Sequence, residues 1–283
     1  MPADLRPRRP RPRECLIAQT VDMPEPIDRR RELFDEVAEL YDRARPGYPP
    51  ELVTDLAVLA GLGRGNRVLE IGPGTGQLTV PLAEAGYHIV AVELGSGLAQ
   101  IARRNLAPYP DVEVVEAQFE DWPLPVGAFD LVVAATAWHW LDPRVRIAKS
   151  AAALRPGGTL AIVRTHDVSS GTPGFVEAAA SCYRRWVSPE ATFELRDPSA
   201  IPVDPELDET AVFGSVTRRT YLRDVTLASG QYVDLLATYS PNRALDEGAR
   251  TGLLRCLKRL IDSQFSGRIN YRFLTELQAA PVA

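Results

Sequence analysis

Val68-Leu69-Glu70-Ile71-Gly72-Pro73-Gly74-Thr75-Gly76 is the stretch of sequence that decides the fold. An apolar run typical of a buried β-strand ends in three alternating glycines, and an acidic residue lies just inside the end of the run. Glycines at a strand-to-helix turn let the backbone turn sharply and let its N–H groups approach a ligand, because no Cβ is in the way. The stretch therefore predicts a nucleoside-containing cofactor at the carboxyl end of a parallel sheet.

Strand and helix patterns alternate on both sides of this turn. Apolar runs of strand length are separated by segments with helical spacing, which is typical of a parallel, doubly wound α/β sheet. The predicted strands cover residues 67–71, 88–93, 112–115, 129–135 and 159–163, and the predicted helices cover residues 77–84, 97–105 and 143–154. We therefore predict a Rossmann-like core over residues 67–164.

The remaining chain divides into four further predicted regions. These are a disordered, basic, proline-rich tail over residues 1–26, a helical cap over 27–66, a lid or acceptor insertion over 165–215, and a C-terminal completion of the sheet over 216–283. Periodic patterns within these regions predict individual elements. The predicted helices cover residues 27–40, 51–60, 174–186, 231–239 and 247–263, and the predicted strands cover residues 216–221, 225–229 and 268–273.

The composition is that of a soluble globular protein, with 45% hydrophobic and 24% charged residues in a chain of 283. A formal net charge of −5 gives no support for nucleic-acid binding, which relies on a basic face. Arginines between residues 6 and 13 alternate with prolines, and no apolar segment of a signal peptide follows them. No apolar run is long enough to span a bilayer. We therefore expect a cytoplasmic protein without a membrane or nucleic-acid partner.

Cysteine usage gives a further expectation about the environment of the protein. Cys15, Cys182 and Cys256 are far apart in the sequence and odd in number. This pattern predicts a reducing compartment and no disulfide framework. The three histidines and three cysteines show no close spacing of metal ligands, so we predict no metal site.

The glycine spacing helps to separate the classes of nucleotide cofactor. A nicotinamide fingerprint, Gly-x-Gly-x-x-Gly, would require a third glycine at the position of Gln77. Glu93 ends the second predicted strand about 20 residues after the loop, where a carboxylate can accept hydrogen bonds from a ribose diol. The two features together indicate a ribose-bearing cofactor without identifying it.

Five ordered segments resemble the motifs of class I S-adenosylmethionine-dependent methyltransferases. They are residues 70–76, Glu93, and residues 117–121, 129–135 and 154–158. The resemblance implies a seven-stranded sheet whose last hairpin is antiparallel. It also implies S-adenosylmethionine as the cofactor, with the glycine loop against its methionine part.

The resemblance further implies which residues contact this cofactor. Glu93 would bind the ribose, while Gln118 and Phe119 would hold the adenine. Glu70 either contacts the cofactor or only caps the loop, and Tyr41 either covers the cofactor or packs at a helix end. The candidate cofactor-binding residues are Tyr41, Glu70, Gly72, Gly74, Thr75, Gly76, Glu93, Leu94, Gln118, Phe119, Ala135 and Thr136.

Residues 41–49 and Trp138-His139-Trp140 are similar to a small-molecule branch of these methyltransferases, which includes trans-aconitate methyltransferases that methylate carboxylates. His139 follows the fourth predicted strand, where it would act as a general base, orient the acceptor, or only pack between tryptophans. Arg45 and Arg164 are candidates to hold the acceptor if it is an acid. The candidate substrate-binding residues are Arg45, Trp138, Trp140, His166 and Tyr239.

The implied reaction is transfer of a methyl group to a small-molecule acceptor by in-line displacement. The methylated atom would be oxygen, nitrogen or carbon, and a carboxylate or secondary-metabolite acceptor is preferred. Two alternatives stay open: a relative that binds the cofactor without transferring a methyl group, and a nicotinamide-dependent oxidoreductase, which Gln77 disfavours. The expected assembly is a monomer or a homodimer.

Overall fold

The computed structural model describes residue 34 and residues 36–283, which form a seven-stranded sheet flanked by helices. The strands are β1 (Arg67–Ile71), β2 (His88–Glu93), β3 (Val112–Glu116), β4 (Phe129–Ala135), β5 (Leu154–Val168), β6 (Thr217–Ala228) and β7 (Arg268–Pro281). The helices are α1 (Ala38–Ala44), α2 (Pro50–Leu59), α3 (Thr79–Glu84), α4 (Ser96–Leu106), α5 (Arg146–Ala153), α6 (Phe175–Trp186), α7 (Ser229–Ala237), α8 (Ser240–Arg243) and α9 (Glu247–Gln264). Short 3₁₀ turns occur at Trp138–Trp140 and Pro198–Ala200.

The strand order is β3-β2-β1-β4-β5-β7-β6. The first five strands in this order are parallel, whereas β7 runs antiparallel between β5 and β6. This confirms the predicted doubly wound sheet with an antiparallel final pair. The chain direction across the sheet reverses between β1 and β4, and such a switch point opens a crevice at the carboxyl ends of the strands.

The central strands are buried because helices cover both faces of the sheet. All seven residues of β4 are buried, which explains its continuous apolar run. Leu69 packs in a cluster on one face, and its neighbour Val68 packs in a cluster on the other. Adjacent strand residues point to opposite faces, so each strand contributes to both clusters. This packing fixes the strand ends that carry the predicted site.

The C-terminal strands are longer than predicted. Pro156, Gly157 and Gly158 interrupt the apolar pattern, but the backbone stays in the sheet through an irregular pairing opposite β4. Residues 165–168, predicted as part of a lid, therefore belong to β5. The two short strands predicted over 216–229 form one strand, β6, which lies at the edge of the sheet. Its residues are exposed or only partly buried. Three helices, α7, α8 and α9, lie between β6 and β7.

The predicted tail over residues 1–26 lies outside the described residues, as does most of the helix predicted over 27–40. The described helix α1 continues to Ala44, and Arg45 leaves the helical region with φ −72° and ψ 129°. The following Pro46 accounts for this end, because a residue before proline disfavours helical dihedrals. The extended backbone of Arg45 therefore turns the chain away from the direction of α1.

The helices α6, α7 and α9 form a separate hydrophobic cluster with β7. Within it, Cys182 of α6 and Cys256 of α9 form a disulfide with Cα atoms 5.8 Å apart. The prediction of no disulfide is therefore wrong, and the cysteine argument for a reducing compartment is lost. The two cysteines are 74 residues apart in the sequence, so only the packing of the helices reveals the pair.

Within the described residues, no helix combines the length and the apolar character needed to cross a membrane. The same part of the chain contains no group of three or more His, Cys, Asp or Glu side chains that could hold a metal ion.

Candidate functional site

A cavity of about 460 Å³ opens at the carboxyl ends of the central strands. Its volume falls in the range of small-ligand sites. The loop between β1 and α3 forms one wall, and the end of β5, the α1–α2 loop and the α7–α8 junction form others. Fifteen predicted site residues line it: Tyr41, Arg45, Glu70, Gly72, Gly74, Glu93, Leu94, Phe119, Ala135, Thr136, His139, Trp140, Arg164, His166 and Tyr239.

The glycine loop needs its glycines for two separate reasons. Gly72 and Gly74 have φ values of +67° and +61°, in the left-handed region that side chains disfavour. A Cβ on Gly72 would lie 2.6 Å from Ala137 Cβ, and one on Gly74 would lie 3.2 Å from Tyr41 Cε1. The loop therefore presents bare backbone to the cavity while packing tightly against the segment after β4 and against α1.

Glu93, at the end of β2, is buried and lines the cavity. Its Oε2 accepts a hydrogen bond from the Gly74 N–H at 3.0 Å, and its Oε1 accepts one from the Gly95 N–H at 2.9 Å. A carboxylate has about four lone-pair sites and can accept several hydrogen bonds at once. Glu93 thus fixes the loop and still offers its oxygens to a hydroxyl-bearing ligand.

Glu70, in β1, is a buried carboxyl group at the same wall. Burial raises its pKa to about 7; the nearby Thr79 hydroxyl lowers the pKa, and the negative charge of Glu93 raises it further. Its Oε2 has no hydrogen-bond partner among the described residues. A buried carboxyl oxygen without a partner favours a ligand that supplies a hydrogen-bond donor or a positive charge.

Three predicted cofactor residues do not line the cavity. Thr75 is buried, its hydroxyl accepts a hydrogen bond from Gln77 Nε2 at 2.6 Å, and its carbonyl accepts one from Asn105 Nδ2 at 2.9 Å. Gly76 faces Leu106 of α4 instead. The carbonyl of Gln118 accepts hydrogen bonds from the backbone of the following turn. These residues shape the loops that carry the cavity-lining groups.

Trp138 was predicted to contact the acceptor, but the structure places it in the hydrophobic core with 1% of its surface exposed. Its indole Nε1 donates a hydrogen bond to Glu206 Oε2 at 2.6 Å, and Arg146 Nε donates to the other oxygen at 2.8 Å. Glu206 belongs to the predicted insertion, and no sequence pattern pairs it with Trp138. Its neighbour Trp140 does line the cavity.

Aromatic side chains enclose the cavity near α1. Phe34 contacts Tyr41 and Trp140 edge-on, with ring centroids 5.9 Å and 5.6 Å apart. Deeper in the cavity, the Tyr48 hydroxyl and Thr136 Oγ1 share a hydrogen bond of 3.0 Å. Tyr48 belongs to residues 41–49, which resemble the small-molecule branch, but the sequence did not predict it as a site residue. These contacts give the cavity a largely apolar rim.

His139 is exposed to the cavity while protein surrounds it on its other sides. Burial lowers its pKa to about 4, and the positive charges of Arg164, Arg146 and Arg45 lower it further, as does His166. The imidazole is therefore neutral at neutral pH. A base of such low pKa accepts a proton poorly.

Three arginines line the cavity with donors that lack partners. Arg45 Nη2 donates to the Thr238 carbonyl at 3.0 Å, and Arg164 Nη2 pairs with Asp204 Oδ2 at 2.5 Å. Arg45 Nε and Arg164 Nη1 are buried without a hydrogen-bond partner in the described part of the chain. Arg223 of β6 forms no ion pair with a described residue, and burial lowers its pKa. Arg45 and Arg164 thus each keep one donor for a ligand, and Arg223 keeps a positive charge without a counter-ion among the described residues.

Asp167 and Tyr239 form a buried pair beside these arginines. The Tyr239 hydroxyl donates to Asp167 Oδ1 at 3.0 Å, and the Arg45 guanidinium lies 4.5 Å from the centroid of the Tyr239 ring. His166, one residue earlier in β5, shares a hydrogen bond of 2.6 Å between its Nε2 and Glu276 Oε2. The predicted residues His166 and Tyr239 thus belong to one polar region of the cavity.

A family profile described as a methyltransferase domain matches residues 69–162, which include the glycine loop, Glu93, β4 and most of β5. Residues 69–162 therefore form a methyltransferase domain of the class I, S-adenosylmethionine-dependent type 11 kind. This confirms the family resemblance and the cofactor class predicted from the sequence. Of the cavity arginines, Arg45 precedes the matched residues, and Arg164 and Arg223 follow them. The family profile therefore says least about the part of the cavity that carries these arginines.

Individual methyltransferases resemble the chain over different extents. An uncharacterized methyltransferase of Mycobacterium tuberculosis is 38% identical over 139 residues, which cover 49% of this chain and 54% of that protein. A demethylmenaquinone methyltransferase of Clavibacter sepedonicus is 28% identical over 162 residues, 56% of this chain and 65% of that protein. The chain thus spans about half the length of the mycobacterial relative. A solved candidate type II methyltransferase of Anaeromyxobacter dehalogenans shares the fold, with a TM-score of 0.59, 21% identity, and coverage of 84% of this chain and 97% of that one.

Besides Tyr48, the sequence analysis missed Asp167 and Arg223 among the cavity residues. Asp167 lies near the carboxyl end of β5, and the rule that ligands bind beyond such ends could have identified it once the true length of the strand was known. Arg223 lies in a strand that also contains Arg218 and Arg219, and no sequence signal separates it from those two.

Proposed function

We propose that this protein transfers a methyl group from S-adenosylmethionine to a carboxylate oxygen of a small acidic acceptor. The observation that carries the proposal is the division of one cavity into two chemically different parts. The glycine loop with Glu70 and Glu93 lines one part, and arginines with unpartnered donors line the other. A methyl-donor site and an anion site would therefore share one cavity.

The first part suits S-adenosylmethionine residue by residue. Glu93 offers acceptor oxygens to the ribose hydroxyls, and the unpartnered Oε2 of Glu70 suits the positively charged amino group of the methionine part. Phe119, which is 3% exposed, offers an apolar surface to the adenine ring. Gly72 and Gly74 leave the backbone open to the methionine part. The bound cofactor supplies a methyl group on a positively charged sulfur, which is already activated for transfer.

The second part suits a carboxylate. Guanidinium groups hold carboxylates through charge-assisted hydrogen bonds, each worth about 1.5–3 kcal/mol. Arg45 and Arg164 each have one buried donor without a partner, and Arg223 has no counter-ion among the described residues. An acidic acceptor would satisfy these donors and neutralise the local charge. A neutral phenol would accept a hydrogen bond without neutralising the charge, and a cationic amine would do neither.

The protonation of the site also favours a carboxylate acceptor. A carboxylate is ionised at neutral pH and has no proton to lose before methylation. His139, with a pKa of about 4, is a poor base for removing a proton from a hydroxyl. We therefore assign His139 to orienting the acceptor, together with Trp140, against which its ring packs with centroids 4.9 Å apart.

The rest of the cavity would position the reactants and exclude water. Phe34 contacts both Tyr41 and Trp140 edge-on in the cavity wall. From the predicted insertion, Arg196, Ile201 and Pro202 also line the cavity, which supports a covering role for that segment. Fixing reactants in line can lower a barrier by about 7–11 kcal/mol, so positioning alone is a large contribution.

A turnover screen tests the proposal. Purified protein is incubated with methyl-labelled S-adenosylmethionine and separate libraries of acids, phenols and amines, and S-adenosylhomocysteine and methylated products are identified by mass spectrometry. We expect methyl esters from acids and no products from phenols or amines. Preferred methylation of phenols or amines would contradict the proposal. Cofactor binding without product from any library would instead favour a relative that does not transfer methyl groups.

Matched variants test the role of the arginines. Arg223→Gln should raise the KM for the acid at least tenfold, because it removes an uncompensated charge from the cavity wall. Arg219→Gln, an exposed arginine of the same strand outside the cavity, is the control and should leave KM unchanged. Equal effects of the two substitutions would show that Arg223 does not bind the acceptor.

A further inference from the structure

We infer that the acceptor carries a hydrogen-bond donor, a hydroxyl or an ammonium group, beside its carboxylate, and that Asp167 binds this donor. The inference rests on the proposed function and adds a second point of recognition to it. The site that the arginines form would take the carboxylate, and Asp167 would select among acids by the group attached to them.

Asp167 combines burial, a position in the cavity wall and an unused oxygen. It is 5% exposed and lines the cavity near the end of β5. Its Oδ1 accepts a hydrogen bond from the Tyr239 hydroxyl at 3.0 Å, whereas its Oδ2 is buried and has no hydrogen-bond partner within the described residues. The Tyr271 hydroxyl, also buried without a partner among the described residues, lies near enough to lower the pKa of Asp167 but does not reach hydrogen-bond geometry. A buried carboxylate oxygen without a donor destabilises the protein unless a ligand or a water molecule supplies one.

The anion site and Asp167 are neighbours through a single tyrosine. The face of the Tyr239 ring contacts the Arg45 guanidinium, 4.5 Å from the ring centroid, and its hydroxyl bonds to Asp167. On its other side, Arg45 lies 5.0 Å from the centroid of Tyr41, which in turn packs against Gly74. A row of contacts therefore leads from the glycine loop through Arg45 to Asp167. One small molecule can span a carboxylate site and a donor site that are this close.

The charge state of Asp167 agrees with a role as a hydrogen-bond acceptor. Burial raises its pKa to about 6, opposed by the hydroxyls of Tyr239 and Tyr271 and by the charges of Arg45 and His166. The carboxyl group is therefore mostly ionised at slightly alkaline pH. An ionised, buried oxygen favours an N–H or O–H donor over an apolar group of the same size.

The first test compares acids that differ only in the attached group. Straight-chain acids from propionate to octanoate are offered to the full-length protein in plain, hydroxy and amino forms, with methyl-labelled S-adenosylmethionine as donor. We expect kcat/KM to be about tenfold to a hundredfold higher for a hydroxy or amino form than for the plain acid, the effect of one hydrogen bond to a charged group. The hydroxy and amino arms show which donor Asp167 prefers. The label is expected on the carboxylate in either case.

The second test replaces Asp167. Asp167→Asn should reduce the ratio of kcat/KM for substituted over plain acids towards one, mainly through a higher KM for the substituted acids. Asp111→Asn, an exposed carboxylate outside the cavity, is the control and should preserve the ratio. Binding of S-adenosylhomocysteine, measured by calorimetry, shows that each variant is folded. If Asp167→Asn does not fold, the comparison of acids on the unaltered protein still decides the inference.

The outcomes separate this inference from the proposed function. Equal turnover of plain and substituted acids would overturn the inference and leave the proposed function intact. An unchanged ratio in a folded Asp167→Asn variant would overturn it as well, because Asp167 would then only brace Tyr239. Label on the hydroxyl or amino group would overturn both, as would the absence of any methylated acid.

Discussion

The backbone N–H of Gly74 donates a hydrogen bond to Oε2 of Glu93, with 3.0 Å between nitrogen and oxygen. The acid at the end of β2 is thereby bonded to the loop that follows β1, 19 residues earlier in the chain. The same side chain caps the Gly95 N–H at the start of the next helix. The conformations of the loops after β1 and β2 therefore depend on one carboxylate.

We predict that Glu93→Ala lowers the affinity for S-adenosylhomocysteine by at least tenfold. The substitution removes the acceptor for the ribose and leaves the N–H groups of Gly74 and Gly95 without their partner, which costs about 1–3 kcal/mol for a buried group. Calorimetry measures the affinity. Glu116→Ala is the control, because Glu116 pairs in register with Glu93 in the next strand but is exposed. An unchanged affinity in Glu93→Ala would rule out its contact with the ribose.

We predict that alanine destabilises the protein more at Gly72, in the glycine loop, than at Gly127, outside it. Gly72 and Gly127 have similar φ values of +67° and +63°, but a Cβ meets Ala137 at 2.6 Å in the first case and nothing within 4 Å in the second. Gly127→Ala should cost about 1–2 kcal/mol, the strain of the left-handed region. Gly72→Ala should cost more and also weaken cofactor binding. Chemical unfolding and calorimetry measure both, and equal costs would show that the contact with Ala137 relaxes freely.

The buried Glu70 predicts a pH dependence of stability. Its pKa is raised from an ordinary value of 4.5 to about 7. Between these values the folded state binds a proton that the unfolded state has lost, so the free energy of unfolding decreases as the pH rises through this window. Glu70→Gln should remove part of this decrease and raise the melting temperature at pH about 8 in the ligand-free protein. A steeper decrease in the variant would mean that Glu70 is ionised and satisfied in the folded state.

The disulfide between α6 and α9 predicts sensitivity to reductant. Its removal by Cys182→Ser and Cys256→Ser should lower the free energy of unfolding by about 2–4 kcal/mol, the usual contribution of a bridge that closes a long loop. Chemical unfolding with and without dithiothreitol measures the effect. Cys15→Ser is the control and should behave as the unaltered protein. A double variant that is insensitive to reductant but as stable as the parent would show that packing alone holds the helices.

The parts of the fold that follow from local pattern could be predicted from the sequence. β1, β2 and β4 have the bounds expected from their apolar runs, and the glycine loop lies where the spacing placed it. Each of these signals depends on residues that are neighbours in the chain. The antiparallel final pair was expected from the family resemblance and not from any spacing.

The parts that depend on tertiary contact could not be predicted. Trp138 lies in the core because Glu206, 68 residues later, accepts its indole hydrogen, and that acid belongs to a stretch without periodicity. The pairing of Cys182 with Cys256 likewise needs the packing of two distant helices. The extent of β5, and with it the position of Asp167, depends on its long pairing with β7. In each case the deciding partner is remote in sequence.

The short segment 204–206 has a consequence for how acceptor preference can change in this family. Asp204 accepts a hydrogen bond from Nη2 of Arg164. Glu206 accepts hydrogen bonds from Nε1 of Trp138 and Nε of Arg146. The segment lies outside residues 69–162, the part that the family profile defines. Substitutions there can release or redirect an arginine of the acceptor wall while every residue of the cofactor loop stays in place. Under the proposed function, acceptor preference can therefore change through Asp204 and Glu206 without altering the methyl donor site.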